Sequence, residues 1–124
     1  MKKLFTLFFF LSLLANTFAG DRMVFIERFT SWTCPPCATN NPIMESFINS
    51  LDQDKIVGIA YHMNWPAPGT DGYYHYNPTD NNARRTMYGV NSIPQARMDG
   101  SISIQSPYSN GSLTALFNSR TNIL

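Results

Sequence analysis

The chain's only two cysteines, Cys34 and Cys37, stand two residues apart around a proline pair in the stretch SWTCPPCATNNPI, residues 31 to 43. Sulfur at this spacing can cycle between dithiol and disulfide, supply half of a metal site, or staple a loop. Stapling is poorly served, because closing so short a loop constrains the unfolded chain by roughly 2 kcal/mol, against about 3 for a fifteen-residue loop. A metal would need further ligands, and the other soft candidates are His62 and His75, which the sequence leaves far from the cysteines. No metal ligand is therefore assigned. The prolines favour the redox use. Pro35 pushes Cys34 out of the helical region, while Pro35 and Pro36 are tolerated in a first helical turn, where their missing N–H groups would be unpaired anyway. Cys34 then caps a helix, where the dipole, the free N–H groups and the Cys37 thiol favour a thiolate. In that reading Cys34 is the nucleophile, and Cys37, one turn in, resolves the mixed disulfide.

The elements that must position this pair follow from hydrophobic patterning. Met23 to Phe29 is rich in β-branched and aromatic residues and reads as a buried strand entering a loop at Thr30-Ser31. Ile43, Met44, Phe47, Ile48 and Leu51 fall at helical spacing and carry the cysteine helix to about Asp52. Lys55 to Tyr61 is a second buried strand, and Asn64 to Asp80, dense in Pro, Gly, Asn and Asp, is a loop. A helix over Asn81 to Tyr88, capped by Asp80 and ended by Gly89, leads to strands at Gln95 to Met98 and Ser101 to Gln105 around an Asp99-Gly100 turn. Ser112 can cap a last helix that buries Leu113, Leu116, Phe117 and Ile123. This order predicts an α/β fold with helices on both faces of a small mixed sheet, and the cysteines lie where the first strand meets the first helix.

At 124 residues with 44% hydrophobic content the chain suits one domain with one core. Lys2 and Lys3, the apolar run Leu4 to Leu14 and the small-residue site Thr17-Phe18-Ala19 form a signal-peptide pattern, too short to span a bilayer comfortably. We expect cleavage after Ala19, a domain over residues 20–124, an exported location (periplasm, cell envelope or extracellular) and no transmembrane span in the mature chain. Without its two leading lysines the chain carries seven basic residues against eight acidic ones, which gives nucleic acid no electrostatic hold. Export also permits a lasting disulfide.

Three features together resemble thioredoxin-fold proteins over nearly the whole mature length. Cys34-Pro35-Pro36-Cys37 matches that family's CxxC site after a strand. Pro42, five residues after Cys37, matches the proline that kinks the active-site helix. Tyr88-Gly89-Val90-Asn91-Ser92-Ile93-Pro94 resembles the YG[VI]xxIP segment whose proline is cis. The resemblance implies a thioredoxin-like fold and thiol-disulfide oxidoreductase activity on protein or peptide thiols and disulfides, with no cofactor. It also implies that Ile93 and Pro94 lie beside Cys34 and, with Trp32, hold the substrate backbone.

The chain departs from the family at informative places. Thr33 separates Trp32 from Cys34, and Arg28 aligns with the family's buried proton-shuttle Asp, while the adjacent Glu27 should face the other side of the strand. The signal-peptide pattern, an acidic residue on the strand before FTSWTCPPC, the long loop and the IPQARMDG ending together resemble the thioredoxin-like domain of exported proteins related to outer membrane protein 28, which often continue further; on that likeness the chain is a fragment or a minimal domain. The aromatics of the long loop, Trp65, Tyr73, Tyr74 and Tyr76, either rim a peptide site or cap core beneath the loop. A non-catalytic binding module with an inert disulfide is the competing class.

Overall fold

A computed structural model describes residues 22–121. The proposed leader and Ile123 lie outside them. In chain order the elements are β1 (Val24–Thr30), α1 (Pro35–Asn49), β2 (Ile56–His62), α2 (Gly72–Tyr76), α3 (Pro78–Met87), β3 (Gln95–Met98), β4 (Ile102–Gln105) and α4 (Asn110–Thr121). The four strands form one sheet in the order β2-β1-β3-β4. β1 and β2 run parallel, with Val24 opposite Ile56 and Thr30 opposite His62, whereas β3 is antiparallel to both β1 and β4. No helix among the described residues is long and apolar enough to cross a membrane.

The two faces of β1 do different work, as strand alternation requires. Val24 and Ile26 join Met98, Ile104 and Ile56 beneath Met44 and Phe47 of α1 and Leu113 and Phe117 of α4. The Phe47 and Phe117 rings meet edge to face at 6.3 Å. Phe29 turns to the opposite face and packs with Met63 and Val90 under Tyr61, Trp65, Tyr88 and Ile93. That second cluster carries the turn at residue 93, so both partners of the cysteine site are seated on the same strand.

The sheet and helix order agree with the sequence reading, and the differences have local causes. β2 is an edge strand rather than a buried one, and its Val57 and Ile59 face solvent. α1 stops at Asn49 because the Ser50 N–H and Oγ both donate to the Phe47 carbonyl, closing the last turn early. The expected loop from Asn64 to Asp80 contains α2 and the start of α3. Asp71 and Asn77 accept hydrogen bonds from the first backbone N–H groups of these two helices, and Pro78 opens α3. Asn77 rather than Asp80 is thus the cap of α3. Ser109 rather than Ser112 caps α4, since its Oγ accepts the Ser112 N–H.

The β3–β4 hairpin turns on Asp99 (φ 50°) and Gly100 (φ 68°), both in the left-handed region that suits a two-residue turn. A side chain at 100 would be strained there, and its Cβ would stand 3.2 Å from Tyr88 Oη. Gly100→Ala should therefore cost about 1–2 kcal/mol, read as a lower urea midpoint at unchanged m-value.

Candidate functional site

Cys34 is the N-cap of α1, in extended conformation (φ −103°, ψ 106°), with prolines in the first two helical positions. Its Sγ accepts the Cys37 N–H at 3.1 Å, so one of the free donors of the helix start points at this sulfur. The two cysteines form a disulfide, with Cα atoms 5.2 Å apart. Cys34 retains 3% exposure and Cys37 none. A partner could therefore approach only from the Cys34 side.

The turn before β3 comes to that side. The Ile93–Pro94 peptide is cis, and the Ile93 carbonyl oxygen lies 3.9 Å from Cys34 Sγ. Gln95 Nε2 donates to the Ser92 carbonyl, and Arg97 donates to the Tyr88 carbonyl, tying the turn at both ends. Ile93 is half-buried and Pro94 buried. The structure thus brings Cys34, Cys37, Ile93 and Pro94 together. Trp32 lies to one side. It is 60% exposed, its Nε1–H donates to the Thr70 carbonyl, and its ring sits over Gly72.

Glu27 and Arg28 separate to opposite faces of β1. Arg28 reaches α1, donating to Glu45 Oε1 at 3.0 Å and to the Asn41 carbonyl. Glu27, 1% exposed, accepts the Tyr88 hydroxyl at 2.5 Å and sits 2.7 Å from Arg84 Nε. Burial first, then donation to Glu27, pushes the Tyr88 hydroxyl above its usual pKa of 10.0. Neither charged group bonds a cysteine. Glu27 instead anchors Tyr88, the first residue of the segment that delivers Ile93.

Sequence reasoning missed Asp71, the most heavily bonded side chain near the site. It is fully buried, and its carboxylate accepts four hydrogen bonds: from the Trp32 N–H (2.8 Å), His62 Nδ1–H (2.7 Å), Tyr73 N–H (2.9 Å) and Tyr74 N–H (3.2 Å). Burial pushes its carboxyl up, but the bonds from His62, Trp32 and Tyr74 outweigh that and bring the pKa below the usual 3.8. One carboxylate thereby joins the cysteine loop, the end of β2 and the start of α2. The Asp71-Gly72 pair ahead of Tyr73-Tyr74 was the available capping signal, hidden by the Pro and Gly density before it. Of the two histidines weighed as metal ligands, His62 is thus a partner of Asp71, while His75 donates to the Gly69 carbonyl. Among the described residues no group of three or more His, Cys, Asp or Glu side chains could hold a metal ion.

No protein-family model matches the chain, and no curated protein matches it in sequence. Solved structures do resemble it. A thiol-disulfide isomerase from Corynebacterium glutamicum is similar with a TM-score of 0.63 at 13% identity, covering 84% of each chain. A thioredoxin point mutant from Halobacterium salinarum NRC-1 gives 0.57 at 19%, covering 84% of this chain and 80% of its own. StoA from Bacillus subtilis gives 0.57 at 15%, covering 78% and 84%. Identities this low speak to architecture, and with the strand order and the cysteine position they show that this chain has the thioredoxin fold.

Proposed function

We propose that the protein is an exported thiol-disulfide oxidoreductase that exchanges disulfides with protein or peptide cysteines through Cys34 and Cys37. The observation that carries this reading is the Cys34 sulfur at a helix N-terminus, bonded by the Cys37 N–H and faced by the Ile93 carbonyl. In the reduced protein the Cys34 thiolate attacks one sulfur of a substrate disulfide. A mixed disulfide forms and the other substrate sulfur leaves as a thiolate. Cys37, deprotonated, then attacks Cys34 Sγ, and the second substrate sulfur departs with the electron pair. The substrate gains two electrons and the protein ends as its Cys34–Cys37 disulfide. The reverse sequence donates that disulfide, and the partner's potential sets the direction. Ile93 and Pro94 offer backbone to an extended substrate, and Trp32 flanks it.

The signal-peptide pattern supports export, with a thioredoxin-like domain from residue 20 onward. The acidic residue Glu27 on the first strand and the IPQARMDG ending support a place among exported proteins related to outer membrane protein 28. Arg28 at the position of the family's proton-shuttle Asp is the observation that favours the competing binding module. Insulin reduction with dithiothreitol separates the two readings. Faster turbidity than with dithiothreitol alone is expected, and equal curves for wild type and Cys34→Ser would favour the module. In the reduced protein, thiolate absorbance should show Cys34 titrating below the roughly 8.5 of a free cysteine; a value at or above that would remove the helix-terminus argument.

A further inference from the structure

The segment between β2 and α3 divides its aromatic residues by role. Trp65 packs on the Phe29 cluster with the Arg85 guanidinium 4.4 Å over its ring, and the Tyr74 hydroxyl accepts from Asn82. Tyr73 and Tyr76 cap no core, being 65% and 92% exposed. With Trp32 they account for three of the seven large hydrophobic side chains exposed among the described residues, and these three lie together. Trp32, Gly72, Tyr73 and Tyr76 line a shallow, open concavity of about 410 Å³ whose accessible surface is almost all carbon.

Two of its three rings, Trp32 and Tyr73, are fixed in place. The Trp32 and Tyr73 rings meet edge to face at 5.8 Å. The Trp32 N–H and the Tyr73 N–H are held by the two oxygens of the same Asp71 carboxylate. Trp32 Nε1 is already satisfied by Thr70, so the indole offers ring surface rather than a donor. Gly72 leaves room for it, since a Cβ there would stand 2.8 Å from Trp32 Cη2.

Resting on the redox reading above, we propose that Trp32, Tyr73 and Tyr76 form a specificity subsite for an aromatic or large aliphatic side chain on the segment flanking the substrate's cysteine. Continuity with the cysteine site selects this occupant. Trp32 is two residues from Cys34, a span of at most about 7 Å, and an extended peptide advances about 3.3 Å per residue. An extended substrate segment that leaves Cys34 toward Trp32 would bring the side chain two or three positions from its cysteine within reach of these rings. No charged side chain lines the concavity, so it would favour an apolar occupant over a charged one. Aromatic rings present large contact area at low entropic cost.

The test uses two quenched disulfide-linked peptides, identical except for Trp or Ser at the second and third positions from the cysteine, with dithiothreitol as recycling reductant. Wild type should favour the Trp peptide roughly tenfold in kcat/KM, mainly through KM. Tyr73→Ser/Tyr76→Ser should turn over the Trp peptide no better than the Ser peptide, and Tyr76→Ser alone, at a side chain almost wholly in solvent, should lose part of the preference. Equal kcat/KM for both peptides in wild type would overturn the subsite and leave the redox reading intact. Turnover of neither peptide nor of hydroxyethyl disulfide would overturn both. A wild-type dimer that Tyr76→Ser dissociates in sedimentation, with no peptide preference, would give the surface to a second copy and likewise overturn the subsite.

Discussion

Cys34→Ser should reduce insulin-disulfide turnover to the rate of dithiothreitol alone, the protein's own contribution falling about a thousandfold or more because the nucleophile carries the chemistry. A serine hydroxyl at this position has the same N-terminal helix environment, but its oxygen cannot form the mixed disulfide through which exchange proceeds. Cys37→Ser should behave differently. The first attack survives, because the backbone N–H at position 37 is unchanged by the substitution and can still donate to Cys34 Sγ. Resolution does not, so a covalent adduct between Cys34 and the substrate should accumulate and be visible by mass spectrometry or non-reducing electrophoresis. The asymmetry is the informative part. It follows from burial, since Cys34 keeps 3% exposure and Cys37 none. Equal trapping by the two single variants would contradict the assignment of nucleophile and resolving cysteine.

The second large effect is expected at Asp71. Asp71→Asn should lower the unfolding free energy by about 2–4 kcal/mol, because one end of a buried carboxylate that accepts four hydrogen bonds becomes a donor. That NH2 must face either the Trp32 N–H and His62, or the Tyr73 and Tyr74 N–H groups. Either way donors confront donors. A change in Trp32 fluorescence should accompany the loss, since Trp32 is the residue whose backbone the carboxylate holds.

The effect should depend on pH in a defined direction. The folded-state pKa of Asp71 lies below 3.8, so in acid the unfolded chain binds this proton first. The carboxylate's contribution is therefore complete above about pH 5 and fades as pH falls through the unfolded value of 3.8 to the lower folded one. Asp99 should act in the same sense. Burial raises its carboxyl, but bonds from the Phe25 N–H and Arg120, with the charges of Arg22 and Arg120, bring it below 3.8. The difference between wild type and Asp71→Asn isolates the first group. Urea midpoints at about pH 6 and about pH 2.5 should show a wide gap that narrows in acid. A gap that widens in acid would mean that the Asp71 carboxyl is protonated in the folded protein.

Much of this molecule can be read along the chain. Residues 23–29 and 55–61 announce themselves as strands because β-branched and aromatic residues crowd both, although the strands lie one residue further along and only the first proved buried along its length. Cys34 could be placed at a helix start because two prolines act on the backbone within one residue of themselves. The Asp99-Gly100 turn was equally plain, since few residue pairs accept positive φ in succession. Such rules operate within a few residues, so no fold is needed to apply them. The segment from 64 to 80 was harder. Its prolines and glycines obscured two helices whose first turns depend on the Asp71 and Asn77 side chains.

Sequence by itself determined the order of elements, the spacing of the sulfurs and the turn chemistry. Tertiary structure alone decided which groups share a site. The Ile93 carbonyl meets a sulfur 59 positions away, and Asp71 holds a backbone N–H 39 positions away. Glu27 and Arg28 are chain neighbours, yet the pleat sends one under Tyr88 and the other to α1. Whether an aromatic side chain caps core or faces solvent is likewise set by what packs beneath it, which is why Trp65 is half-buried while Tyr76 is 92% exposed. Partners of this kind are chosen by the sheet register and by burial of the whole chain, quantities that no short window of residues contains.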